Sequence, residues 1–224
     1  MERIVKGEES LRFGDLDVRF FRRNFEIREE KKESIVVLLE GQALFKVRDK
    51  VYKVKKTGDF GSKPSAIYLP SGRGAKIETN KDSLLLCVEK PQERGGRVKL
   101  FRPRDIKTTY EGINCTRWKE RNICTGHGIA CSELLSFPGR WFKTPEVKDG
   151  LRLLFFRVNP DTGFGALHLT EETIEKLYMI RNGTLINFED GMSMMTSAPD
   201  SSISCICISR IESEATKLGG VEWT

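Results

Sequence analysis

The segment KTPEVKDGLRLL places Asp149 three residues before Arg152, with Lys148 beside the carboxylate. A carboxylate base next to fixed cations is what proton shuttling between adjacent carbons requires: the base takes the proton while the cations hold the developing oxyanion. In an extended chain Val147 and Asp149 share one face and Lys148 takes the other, so only one set faces an interior. The alternative is a salt-bridged surface turn. Of the two histidines, His168 in FGALHLTEE shares a strand face with Ala166 and Thr170. Its imidazole suits general acid or base work, or a structural hydrogen bond. His127, in a TGHG turn, is expected at the surface. Trp118 and Trp141 offer either a stacking floor for a sugar or ordinary core aromatics.

The six cysteines stand at 87, 115, 124, 131, 205 and 207, and no two form a CxxC pair. A zinc site needs two close pairs, or one pair with paired histidines, and neither is present. Cys205 and Cys207 in SISCICIS lie two apart in an expected strand and so point to one side. The thiols are expected to be reduced and buried as small hydrophobes. Cys124 and Cys131, in NICTGHGIAC, are the two expected to be most exposed.

The elements that must position these groups are strands. Short runs rich in aliphatic, β-branched and aromatic residues recur along the chain, among them SIVVLLEG, ALFKVRDKVYKV, SAIYLPSG, SLLLCVEK, IACSELLSF, LRLLFFRVNP, FGALHLT, TLINFED and SISCICISRI. Most are bounded by Gly, Pro, Asp, Asn or Ser. The best candidate for a helix, ETIEKL, is short. An all-β fold follows. KPQERGGRVKLFRPRD lacks apolar periodicity and reads as a linker, dividing the chain into residues 1–98, a barrel with its leading strands, and 99–224, a second barrel preceded by a linker strand. Exposed sheet edges in such barrels predict a homo-oligomer.

The 224 residues are 38% hydrophobic and 31% charged, the balance of a globular protein with a real core. The formal net charge of +6 is spread through mixed-sign stretches such as FFRRNFEIREEKKES, so no basic stripe for nucleic acid is expected. No run of about 18 apolar residues occurs and the start is charged, which predicts a cytoplasmic protein with no membrane partner.

The order of elements in IVVLLEGQALFKVRDKVYKVKKTGDFGSKPSAIYLPSGRGAKIET resembles a cupin barrel: strand, glycine turn, strand, charged turn, strand, GD turn, strand, PxG turn, strand. Gly41 fits the turn glycine of the first cupin motif. Counting back to that motif's glutamate reaches Ser34, no histidine precedes it, and Pro70, Ser71 and Gly72 are followed at the histidine position by Ala75. This half lacks the usual ligands, which leaves Pro70 and Gly72 a structural turn.

In the second half Pro138, Gly139 and Trp141, then RVNPDTGFG (Arg157 to Gly165), then Gly183 and Gly191 are similar to the C-terminal cupin of the 5-deoxyglucuronate isomerase family of myo-inositol breakdown, whose relatives include 5-keto-4-deoxyuronate isomerase. The resemblance implies two cupin-like jelly-roll barrels in tandem and an aldose–ketose isomerisation of a sugar acid. It also implies a divalent metal such as zinc or manganese, held by an HxH pair, a glutamate and a later histidine; such a metal would polarise the carbonyl and stabilise the enediolate. At the HxH positions this chain has Glu146, Val147, Lys148 and Asp149; the glutamate position falls at or near Arg152 and the last histidine near Ser193. Cations among would-be ligands repel a divalent ion, so no metal cofactor is expected. Within the resemblance, Arg117 and Arg157 are candidate carboxylate clamps, Trp141 and Ser193 candidate substrate contacts, and Asp149, Arg152 and His168 a candidate metal-free catalytic set. An edge-strand ion pair for Arg117 and a pinned loop carbonyl for Arg157 are the structural alternatives. Two functions follow: a degenerate bicupin that has lost the isomerase reaction but keeps a sugar-acid pocket or only the scaffold, or an isomerase working through a rearranged site.

Overall fold

A computed structural model describes residues 2–5, 8–28, 30–57, 60–111, 118–126, 128–136, 138–139, 141–143, 151–171, 174–188 and 191–210. The helices and strands described there are all strands: β1 (Glu2–Ile4), β2 (Glu9–Phe13), β3 (Leu16–Phe21), β4 (Phe25–Ile27), β5 (Lys32–Val47), β6 (Lys50–Lys56), β7 (Ser65–Leu69), β8 (Ala75–Thr79), β9 (Leu84–Pro91) and β10 (Lys99–Phe101) in the first half. The second half holds β11 (Thr108–Glu111), β12 (Trp118–Thr125), β13 (Ile129–Ser136), β14 (Trp141–Lys143), β15 (Arg152–Asn159), β16 (Gly165–Glu171), β17 (Ile174–Ile180), β18 (Thr184–Phe188), β19 (Met192–Ser197) and β20 (Ser202–Arg210). The ETIEKL segment lies within this pattern too, with Ile174 to Leu177 in β17, because its exposed and half-buried residues alternate at the strand period rather than the helical one.

All pairings are antiparallel. In the first half β5 is shared: its beginning pairs with β7 and β9, and its end pairs with β6 and β8. The strand bends between the two where the register slips from Leu38 to Glu40, and Gly41 follows at φ +86°. The second half sets a seven-stranded sheet, in the order β1-β18-β15-β20-β13-β12-β11, against a four-stranded sheet, β14-β19-β16-β17.

Three hydrophobic cores result. One fills the first barrel around Val36, Leu38, Phe45, Ile67 and Ile77. Another fills the second around Leu154, Phe156, Leu167, Met195 and Cys205. The third lies between the barrels, where Val18, Phe20, Val37 and Leu86 of the first meet Ile129, Leu153, Phe155 and Ile206 of the second. Strand alternation explains the division. On β5 the residues Ile35, Val37 and Leu39 face the second barrel while Val36 and Leu38 face their own. SIVVLL is therefore buried on both faces, which is why it is a continuous apolar run instead of an alternating one.

Pairing crosses the expected division at residue 98 in both directions. β1 adds to β18 at the edge of the second barrel's sheet, and β10 adds to β7 in the first. The linker read at KPQERGGRVKLFRPRD thus includes the end of β9 and all of β10, with residues 92–98 between them outside regular structure.

Candidate ligand-binding site

The residues most able to do chemistry in the second barrel line its interior. β15 begins with Arg152, which alternates with the inward Leu154, Phe156 and Val158 and is only 1% exposed. Its guanidinium sits 5.7 Å from the centre of the inward Phe188 ring, a cation–π contact. Ser193, on the facing sheet, is buried and shares its strand face with Met195 and Ser197. Glu120 is buried opposite Leu134, and so shares that interior face. Ser209 stands opposite Arg152, and its hydroxyl lies 3.8 Å from the Cys207 sulfur. Cys205 and Cys207 do share a face, the inward one. Burial pushes both thiols up, with Arg152 pulling each back. Arg152 and Ser209 thus lie side by side at one end of the interior with Cys207 next to them, while Cys205 and Glu120 sit deeper, level with Phe156.

Other sequence candidates are not brought to this place. His168 lies between the inward Leu167 and Leu169, so it faces outward, with Nε2 3.6 Å from Glu175. Trp141 is 42% exposed beside Thr196, whereas its neighbour Phe142 turns inward and stacks on Trp118 at 5.5 Å. Arg157 shares the parity of Leu153 and Phe155 and turns toward the first barrel. Its fork donates to the Leu39 carbonyl at 2.9 Å and to Glu40 at 2.7 Å, under the Phe60 ring. That is the structural alternative drawn for it, with a carbonyl of the other barrel in place of a local loop. Asp149, Lys148, Glu146, Arg117, His127 and Cys115 lie outside the described residues. Cys124 and Cys131, expected to be exposed, are instead buried in the core between the barrels, because the first barrel covers the sheet face that carries them.

The polar groups that sequence reasoning missed are those that lock the barrels together. Glu133 accepts from Lys56 of the first barrel at 3.1 Å, from Arg121 at 2.8 Å and from Ser204 at 2.8 Å. Arg121 goes on to donate to the Gly61 and Ser62 carbonyls. Burial holds the Lys56 amine below its ordinary range, and Glu133 opposes the shift. Glu33 accepts from the Tyr68 hydroxyl at 2.9 Å and from the Gly128 N–H at 2.6 Å, tying β5 to the β12–β13 turn. The signal was present: each glutamate adjoins an apolar run, SIVVLL or IACSELLS, in which an ionisable group needs a partner.

The first barrel's interior is apolar apart from one end, where Arg19 pairs with Glu89, and Ser34 donates to that carboxylate at 3.4 Å. Among the described residues, no group of three or more His, Cys, Asp or Glu side chains is placed to hold a metal ion. Among them, too, no helix is long and apolar enough to cross a membrane.

Comparison with known proteins adds the following. The model of the KduI/IolB family matches residues 22–136. Among solved structures, the chain is similar to an IolB-like protein from Salmonella typhimurium LT2, with a TM-score of 0.78 at 16% identity, covering 88% of this chain and 82% of that one. It is also similar to oxalate decarboxylase of Lactobacillus farciminis (TM-score 0.68, 10% identity, 94% and 83% covered) and to protein YlbA of E. coli (TM-score 0.65, 11% identity, 94% and 87% covered). A cupin-2 barrel protein from Leptotrichia buccalis aligns with a TM-score of 0.57 at 10% identity, over 93% of this chain and 89% of that one. At these identities the likeness is one of fold, and it assigns two cupin-like barrels. No curated protein matches the sequence significantly.

Proposed function

We propose, on the premise that this chain belongs to the KduI/IolB family, that its second barrel is a metal-free pocket holding an acidic sugar through Arg152, and that it does not run the family's metal-dependent isomerisation. The family is one of sugar isomerase-like proteins, but a scaffold does not carry its chemistry with it. The observation that carries the reading is Arg152 itself, a fully buried guanidinium inside the barrel at the position counted for the metal-binding glutamate. A fixed cation at that place does not fit a divalent metal, whose ligands must be neutral or anionic. It does fit a carboxylate, which a planar guanidinium can take with two parallel hydrogen bonds. Ser193 and Ser209 would add hydroxyl partners. Much of the remaining interior is packed with apolar side chains such as Leu154, Phe156, Leu167 and Met195, which supports binding beside Arg152 over a spacious reaction chamber. The rearranged-site isomerase has less support, because His168 and Arg157 turn away from the interior that Arg152 faces.

The test joins three measurements on the full chain: bound metal by plasma mass spectrometry, isomerisation of 5-deoxyglucuronate with and without added zinc or manganese, and calorimetric titration with glucuronate. The expected result is no stoichiometric metal, no turnover, and glucuronate binding that weakens at least about tenfold in Arg152→Lys, which keeps the charge but loses the fork. Turnover dependent on added metal would overturn the proposal.

A further inference from the structure

Cys124 and Cys131 face each other directly across the antiparallel ladder of β12 and β13, just past the register shift that follows Asn122. Opposed residues in such a ladder have Cα atoms roughly 4.5–5.5 Å apart, inside the span of roughly 4.4–6.8 Å over which a disulfide closes. Both thiols are free, and they are 5% and 3% exposed. Hydrogen bonding to the neighbouring Cys124, together with burial, raises the Cys131 thiol well above its ordinary range. The other described cysteines are arranged differently. Cys87 lies inside the first barrel, and Cys205 and Cys207 follow each other on one strand.

We infer that Cys124 and Cys131 form a redox site, at which a peroxide converts the two thiols reversibly into a cross-strand disulfide. One sulfur, as its thiolate, attacks the O–O bond and becomes a sulfenic acid, while the departing hydroxide takes up a proton to leave as water. The second sulfur then displaces the sulfenic oxygen as another water, and the S–S bond forms. Two thiols and one peroxide give one disulfide and two waters, the two electrons passing from sulfur to the O–O bond. Burial selects a small oxidant, since a bulky disulfide reagent cannot reach these sulfurs without opening the strands. A raised thiol also carries little thiolate near neutral pH, so the reaction is slow and records sustained exposure. The same hairpin ends at Gly128, whose N–H is held by Glu33 of the first barrel, so the bridge would stiffen the joint between the barrels.

Trypsin provides a direct readout, because cleavage after Arg121 and Arg140 leaves both cysteines in a single peptide, residues 122–140, and puts Cys115 in another. The full chain is treated with hydrogen peroxide, unfolded, alkylated with iodoacetamide and digested. The expected peptide is two hydrogens lighter than its dithiol form, carries no alkyl label, and takes up both labels after reduction, while Cys87, Cys205 and Cys207 are labelled throughout. In Cys124→Ser the peptide keeps a labelled or oxygen-bearing Cys131 and no bridge. Double labelling of the peptide at peroxide levels that oxidise the methionines, a gain of two or three oxygens on either cysteine, or a link to the peptide holding Cys115 would each overturn the assignment.

Discussion

Glu133 sits against Lys56, Arg121 and Ser204 with almost no exposure, so neutralising it leaves two cations buried without their anion. Glu133→Gln is expected to lower stability by about 3–5 kcal/mol in urea unfolding, whereas Ser204→Ala should cost about 1 kcal/mol. The thiols make a second prediction. Contact with Cys124 and burial hold Cys131 protonated, and burial does the same for Cys87, Cys205 and Cys207. A raised folded value contributes stability that is complete below the ordinary thiol range and is lost as pH rises above it, where the unfolded chain ionises and the fold does not. Lys56, held low by burial, works in the opposite sense, but it is one group against four. The unfolding free energy read from urea titrations should therefore fall between about pH 8 and about pH 10, by up to about 1.4 kcal/mol per pH unit for each thiol, and fall less steeply in Cys87→Ala. At this scale the sequence was half legible. Arg152, reached by counting along a motif, stands on the inward face of β15. Arg157 lies an odd number of residues further on, so on one unbroken strand it must face the other way. His168, between Leu167 and Leu169, carried the same warning.

At the scale of elements, glycines fix where strands bend. Gly41 adopts φ +86°, and a Cβ there would stand 2.6 Å from the Ser83 backbone. Gly72 adopts φ +75° with nothing within 4 Å. Gly41→Ala should thus lower the melting temperature clearly more than Gly72→Ala, whose cost is the backbone strain alone, about 1 kcal/mol. Both glycines were visible as turn signals, and so were the strands with dense aliphatic runs. The early strands were expected only as leading strands of the first barrel, with no role for their faces. β2 (ESLRF) and β3 (LDVRFF) alternate charged and apolar residues, and only packing against the second barrel, at Leu16, Val18 and Phe20, shows what their apolar face is for.

For the whole molecule, the core between the barrels decides cooperativity. Phe20 and Phe155 meet across it with ring centres 4.7 Å apart, and Phe155→Ala is expected to cost about 3–5 kcal/mol while leaving one unfolding transition, followed alike by tryptophan fluorescence and circular dichroism. Residues 1–98 and 99–224 made separately should each expose this surface and remain insoluble, and soluble, folded halves would show that the barrels stand alone. The sequence hid the exchange of edge strands, since three-residue segments such as β1 and β10 carry no periodicity of their own. That exchange also sets a timetable for synthesis. Ile4 pairs with Thr184, so 180 further residues must be made after Ile4 before β1 meets its partner, roughly ten to forty seconds at ordinary elongation rates. β1 is thus placed long after it is made, and a nascent chain stalled before residue 184 would carry a closed first barrel with β1 still waiting.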